Sequence, residues 1–130
     1  MGASAQEVFK SLKSLLARAH APYSGFKVAA AAIDEMNTAY FGVNVENQSL
    51  PVGTCAEAGA ISALRVGGGT QIKQLYLLSE PNIGVVPCGA CRQRLAELGS
   101  PDTAVITFDE AGNEKIYELQ EIFPHGFRFR

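Results

Sequence analysis

The chain has 130 residues, of which 47% are hydrophobic and 18% charged, with a formal net charge of −2. That length suits a single domain, 1–130, with room for a real core. The mild acidity and the lack of a Lys/Arg-rich run leave no electrostatic footprint for nucleic acid, and no stretch approaches the length and apolarity of a membrane span.

Residues Met1–Gln6 carry neither the basic start nor the apolar core of a signal peptide, which predicts a cytoplasmic location. Ala5–Ala19 reads as an amphipathic helix with Val8, Leu12, Leu15, Leu16 and Ala19 on one face. Ala21-Pro22-Tyr23-Ser24-Gly25 breaks it. Phe26–Ile33 is a nearly continuous apolar run, as in a strand buried on both faces. After a turn at Asp34–Asn37, Ala39–Val45 reads as a second strand, hairpin-paired with the first.

Asn47–Gly53 is a loop, and Thr54 is placed to cap a helix that runs to Val66 and ends at Gly67-Gly68-Gly69. Ile72–Ser79 is a strand, Glu80–Val86 a loop, and Pro87 opens a helix through Leu98. Ala104–Phe108 and Glu114–Tyr117 are strands around a turn, and Leu119–Phe123 is a last helical turn. This order predicts the α/β class: a three-layer α/β/α sandwich around a mixed sheet of about five strands.

All three cysteines fall in two short motifs, Cys55-Ala56-Glu57 and Pro87-Cys88-Gly89-Ala90-Cys91. An odd number of cysteines in a reducing compartment points to metal or catalytic use rather than disulfides. Cys88 and Cys91 are three apart at a helix start and face the same way. Cys55 opens another helix. Three thiolates can hold one Zn²⁺ and leave its fourth position open, as a catalytic zinc requires. Glu57 beside that position is the candidate proton carrier.

Blander readings compete. A lone C-x-x-C pair can be a redox site, although the element order differs from thioredoxin-like chains. A closed structural zinc site needs a fourth ligand, and neither His20 nor His125 stands at ligand spacing. Thr54-Cys55-Ala56-Glu57 also matches a capping box, which would occupy the Glu57 carboxylate and exclude it from proton transfer. Asn44 and Glu46, two apart at a strand end, share a face and offer donor and acceptor to a diol, or are simply polar residues at a loop edge. Phe26 alone reads equally as ordinary core.

Taken together, five segments resemble, in order, the motifs of the short zinc-dependent cytidine deaminases of pyrimidine salvage. They are Ala21-Pro22-Tyr23-Ser24-Gly25-Phe26-Lys27-Val28, Asn44-Val45-Glu46-Asn47, Cys55-Ala56-Glu57, Pro87-Cys88-Gly89-Ala90-Cys91-Arg92-Gln93 and Phe123-Pro124-His125-Gly126-Phe127. The resemblance covers nearly the whole chain. It implies hydrolytic deamination of cytidine and 2′-deoxycytidine to uridine and 2′-deoxyuridine with release of ammonia. It also implies one Zn²⁺ per subunit on Cys55, Cys88 and Cys91, with Glu57 shuttling protons between a zinc-activated water and the pyrimidine. Asn44 and Glu46 would hold the ribose hydroxyls, Phe26 would pack against the base and the Ala56 backbone would orient it. A homotetramer is implied as well, and the low charged fraction is compatible with one.

Two positions depart from the family. Ala58 stands where three-cysteine members carry an arginine that offsets thiolate charge, so the centre is expected to have less acidic water unless helix N-termini or Arg92 compensate. The second departure is Leu50-Pro51, in a loop where relatives often carry a tyrosine near position 50, in a family whose active sites borrow residues from neighbouring subunits. Other readings of the same residues are a zinc deaminase for another aminated nucleoside, such as a blasticidin-type antibiotic, and a non-catalytic zinc-stabilised module. A polynucleotide editor lacks the basic groove it would need.

Overall fold

The computed structural model of the protein describes residues 3–128. Ser4 starts the chain's first helix, α1 (Ala5–Leu15): its hydroxyl accepts from the Glu7 N–H at 3.2 Å while Glu7 Oε1 accepts from the Ser4 N–H at 3.3 Å. The helix is shorter than the expected 5–19. Its end tightens into a 3₁₀ turn, Leu16–Arg18, whose last carbonyl bond runs from Ala19 N–H to Leu16, and Ala19 is already extended.

The remaining elements are β1 (Lys27–Ile33), β2 (Ala39–Val43), a 3₁₀ turn (Leu50–Val52), α2 (Ala56–Val66), β3 (Gln74–Glu80), α3 (Gly89–Leu98), β4 (Ala104–Phe108), β5 (Glu114–Glu118) and the single turn α4 (Leu119–Ile122). The strands form one five-stranded sheet in the order β2-β1-β3-β4-β5. Only β3 and β4 run parallel, joined by a crossover that contains α3; β1–β2, β1–β3 and β4–β5 are antiparallel. The expected mixed sheet of about five strands is what the chain builds.

Side chains alternate between two cores, as the period of a strand dictates. On one face Ala30, Ala32, Leu75, Leu77 and Val105 pack against Ala56, Ala60 and Leu64 of α2, Leu95 of α3 and Leu119 of α4. On the other, Ala29, Ala31, Ile33, Tyr76, Leu78, Ile106 and Phe108 pack against Val8 and Leu12 of α1. The sheet is therefore sandwiched between helical layers. Leu12 and Leu64 are fully buried in opposite cores, and truncating either to Ala would cost about 2–5 kcal/mol.

Small residues let α2 lie close to the sheet. Ala29–Ala32 have no exposed surface. A Cβ on Gly42 of β2 would run into the carbonyl of Ala56 and the amide of Ala60, so glycine there sets the height at which α2 begins. Lys27, which opens β1, stands opposite Glu80, which closes β3, and Asn44, just past β2, donates its N–H to Val28 O. The N-termini of α2 and α3 both lie at this end of the sheet, where the cavity described next opens.

Candidate active site

Cys55 and Cys88 are the N-caps of α2 and α3, and Cys91 is in the first turn of α3. The start of α2 lies one residue later than the sequence suggests. Thr54 exchanges both backbone bonds with Val45, at 2.9 and 3.0 Å, and this bridge keeps it extended. Helical geometry begins only at Ala56, with Cys55 extended at φ −76° and ψ 156° and no side-chain cap bond. The capping box expected between Thr54 and Glu57 is therefore absent, and Glu57 is the second helical residue with its carboxylate free of that role. Pro87 likewise lies just before the cap of α3 rather than inside it.

The Cys55 and Cys88 Sγ atoms are 3.9 Å apart, and all three Sγ atoms lie within 4.8 Å of one another. Zn–S bonds of about 2.3 Å in tetrahedral geometry put sulfurs ~3.8 Å apart. The donor set therefore fits zinc by softness and by spacing. Among the described residues the group contains no histidine or carboxylate, which leaves three ligands and an open fourth position rather than a closed structural site.

Glu57 is 5% exposed. Burial pushes its carboxyl up, and its own backbone N–H, then the Arg94 charge and a bond with Cys91, pull it part of the way back. Burial also pushes the Cys55 and Cys91 thiols up, with the Glu57 charge adding to both. Only Cys88 moves down, where hydrogen bonds from Cys91 and Cys55 outweigh burial. The three thiols thus shift in different directions around the buried Glu57, and metal binding to thiol ligands is coupled to the loss of their protons.

A cavity of about 540 Å³ opens onto this cluster, lined by Cys55, Ala56, Glu57 and Cys88 at its floor and by Phe26, Asn44 and Glu46 along its wall. Its size suits a nucleoside-sized ligand. Tyr23, Val45, Leu50, Val85 and Val86 are among its other lining residues.

A family model for the cytidine and deoxycytidylate deaminase zinc-binding region matches residues 3–107. The chain belongs to this deaminase family. A cytidine deaminase of Mycoplasma genitalium is 35% identical over 122 residues, covering 93% of each chain. The crystal structure of cytidine deaminase from Burkholderia pseudomallei superposes with a TM-score of 0.86 at 30% identity, over 96% of this chain and 100% of that one. That from Mycobacterium leprae gives 0.78 at 34% identity, over 89% and 93%. The mixed sheet and its helical layers are the cytidine deaminase fold, and the family is an enzyme family with a zinc-binding region. No helix among the described residues is long and apolar enough to cross a membrane.

Set against this deaminase family, the residues singled out in the sequence gather at one place. Cys55, Ala56, Glu57, Cys88, Phe26, Asn44 and Glu46 all line the cavity, and Cys91 lies fully buried behind it. Asn44 and Glu46 carry more bonds than a loop edge implies. Asn44 Oδ1 accepts from Val28 N–H and its Nδ2 donates to Phe26 O, both at 2.8 Å, so the amide extends the β1 edge and still has one N–H to offer. Glu46 accepts from the N–H groups of Tyr23 and Ser24 at 3.0 and 3.2 Å and from the Ser24 hydroxyl. The Ser24 hydroxyl bond is the main cause that holds this carboxyl below the usual range.

Arg92 does not compensate the thiolates. Its Nε donates to Pro87 O at 2.8 Å and its Nη1 to Ile122 O at 2.6 Å, which ties the start of α3 to α4. The cation at the sulfurs is Arg94, whose Nη1 donates to Cys91 Sγ at 3.3 Å. The sequence held a signal for it: Arg94 is three residues after Cys91 and so on the same helical face. Ser24 had no comparable signal, because its partner Glu46 is 22 positions away.

Proposed function

We propose that the protein hydrolyses cytidine and 2′-deoxycytidine to uridine and 2′-deoxyuridine, with release of ammonia, as a single deaminase domain spanning 1–130. One observation carries this reading: a buried carboxylate, two of the three clustered sulfurs and an Asn/Glu pair suited to a diol line one cavity, with the third sulfur, on Cys91, buried behind it. Cys55, Cys88 and Cys91 would hold Zn²⁺. Zinc bound there would supply the Lewis acidity that makes water nucleophilic near neutral pH.

The chain's own groups do the rest. Glu57 takes the proton an attacking water gives up, delivers it to pyrimidine N3, and then carries the new hydroxyl's proton to the amino group as it leaves C4. Its burial keeps competing water away from the carboxyl. Asn44 contributes its remaining Nδ2–H, and Glu46 its remaining Oε2 lone pair, to the ribose hydroxyls. Phe26 offers an apolar ring to the base. The Ala56 N–H, at the first helical position and without an intrahelical partner, is placed to orient it.

The same reading makes this a cytoplasmic enzyme of pyrimidine salvage that works as a homotetramer. In support, Leu50 and Val52 leave 75% and 61% of their surface exposed on a 3₁₀ turn at the cavity, an apolar edge suited to a neighbouring subunit.

The test is an ultraviolet assay of zinc-quantified protein with four substrates: cytidine, deoxycytidine, free cytosine and a blasticidin-type nucleoside. Turnover confined to the two cytidines is expected. Turnover of the blasticidin-type compound alone would replace this reading with the antibiotic one, and turnover of none would leave a zinc-stabilised module.

A further inference from the structure

The three sulfurs present an electrostatic problem that the wall of the cavity does not solve. Three thiolates and one divalent cation sum to a net negative charge, and the buried Glu57 adds another beside them. Excess negative charge is poorly tolerated where burial removes water. On α2 the residue after Glu57 is Ala58, which brings no charge. Arg92 is committed to the carbonyls of Pro87 and Ile122.

Arg94 is differently placed. It is one turn along α3 from Cys91, its side chain is exposed, and its Nη1 reaches back to the buried Cys91 Sγ at 3.3 Å. We propose that Arg94 is a positioning residue of the metal centre, whose guanidinium offsets the surplus thiolate charge through the N–H···S bond to Cys91. The charge thus enters from the second cysteine helix rather than from the residue after Glu57. The inference rests on the reading that Cys55, Cys88 and Cys91 hold zinc.

Three features support it. A guanidinium keeps its charge at every relevant pH, and its N–H directions fix it on a single acceptor. Its field reaches beyond Cys91: Arg94 also interacts favourably with Cys55, Cys88 and Glu57. Finally, hydrogen-bond partners of metal ligands hold those ligands in place and tune the electron density they donate. A thiolate that accepts a charged N–H bond donates less to its metal, so the metal keeps more of its Lewis acidity.

The test uses full-length protein in its zinc form and its cobalt(II)-substituted form, and compares the parent with Arg94→Gln, Arg94→Lys and Lys10→Gln. Lys10 is exposed on α1 and controls for net charge alone. Zinc affinity is read by competition with a chromophoric chelator, and the sulfur-to-cobalt charge-transfer band by near-ultraviolet absorption. Arg94→Gln is expected to weaken zinc binding by about 10–100-fold and to move the cobalt band to lower energy, because the sulfur lone pairs lose the cation that stabilised them. Arg94→Lys should recover part of both effects, and Lys10→Gln should match the parent.

Arg94→Gln that binds zinc like the parent, or that weakens binding with the band unmoved, overturns the proposal. So does Arg94→Lys equal to Arg94→Gln, since charge is then not the operative property. A parent that holds neither zinc nor cobalt overturns the zinc reading itself, which keeps the two failures distinct.

Discussion

Cys55 and Cys88 are 33 positions apart, cap two different helices, and bring their sulfurs to 3.9 Å. Neither helix alone could make a metal site. The sheet fixes their separation, because α2 rests on β1 and β2 while α3 is the crossover between β3 and β4.

That dependence on the sheet predicts the effect of Gly42→Ala. The added methyl has backbone on both sides, Ala56 O and Ala60 N, and no flexible side chain to give way. Helix α2 must lift, and Cys55 and Glu57 lift with it. Stability should fall by about 1–3 kcal/mol in urea unfolding, and zinc per subunit should fall in the same sample. A loss of stability with full zinc content would mean that the cysteines are not positioned from this contact.

Metal removal should act on stability as well as chemistry. On the proposed ligand set, zinc would bind the folded arrangement of three sulfurs and not their scattered positions in the unfolded chain, and so would stabilise by linkage, by about 4 kcal/mol at a thousand-fold excess over Kd. Dialysis against a chelator should lower Tm, and added zinc should restore it. An unchanged Tm would show that the cluster holds no ion in the native protein.

Asn44→Ala should show two separable effects. The backbone N–H of Val28 and carbonyl of Phe26 each lose a 2.8 Å partner, which costs about 1–3 kcal/mol of stability if they stay dry. The remaining Nδ2–H is lost to the substrate, so KM for cytidine should rise at 10 °C, where the variant is still folded. An equal penalty on binding a ribose-free pyrimidine would contradict the sugar-binding role.

Glu35 provides an acid-dependent lock away from the cavity. Its carboxylate accepts from its own backbone N–H, from the Thr70 N–H at 3.0 Å and hydroxyl at 2.9 Å, and from the Gln71 N–H at 3.1 Å, which lowers its pKa from 4.5 to about 2. The folded pKa is depressed, so this contribution is complete above pH 4.5 and is lost as pH falls through about 2. Urea midpoints measured from pH 6 down to pH 2.5 should fall less steeply for Glu35→Gln than for the parent. Identical slopes would show that the lock contributes nothing.

Much of this was readable in the chain, and the exceptions have physical causes. The strand Ala104–Phe108 is bounded by turn residues on both sides, and its limits in the structure are those of the sequence pattern. The apolar run at β1 correctly signalled burial on both faces. The capping box at Thr54 failed because a local pattern cannot register a non-local bond: the bridge to Val45, nine positions back, holds Thr54 extended. Arg92 was the nearer suspect for thiolate compensation, yet helical geometry turns it toward Pro87 and α4 and leaves Arg94 beside Cys91. The cysteines and Glu57 were legible because their chemistry is confined to short motifs. The Ser24–Glu46 contact was not, because it depends on how a loop folds over a strand end.

On the proposed function, Glu57 moves protons for deamination beside a three-cysteine zinc site. The most direct test is cytidine turnover, followed by ultraviolet absorbance, in parent and Glu57→Gln samples matched at one zinc per subunit. The parent should convert cytidine to uridine, and the variant should keep its zinc while turning over about 10²–10⁴-fold more slowly. A zinc-replete parent that leaves cytidine unchanged, or a Glu57→Gln protein that deaminates at the parental rate, would contradict the account.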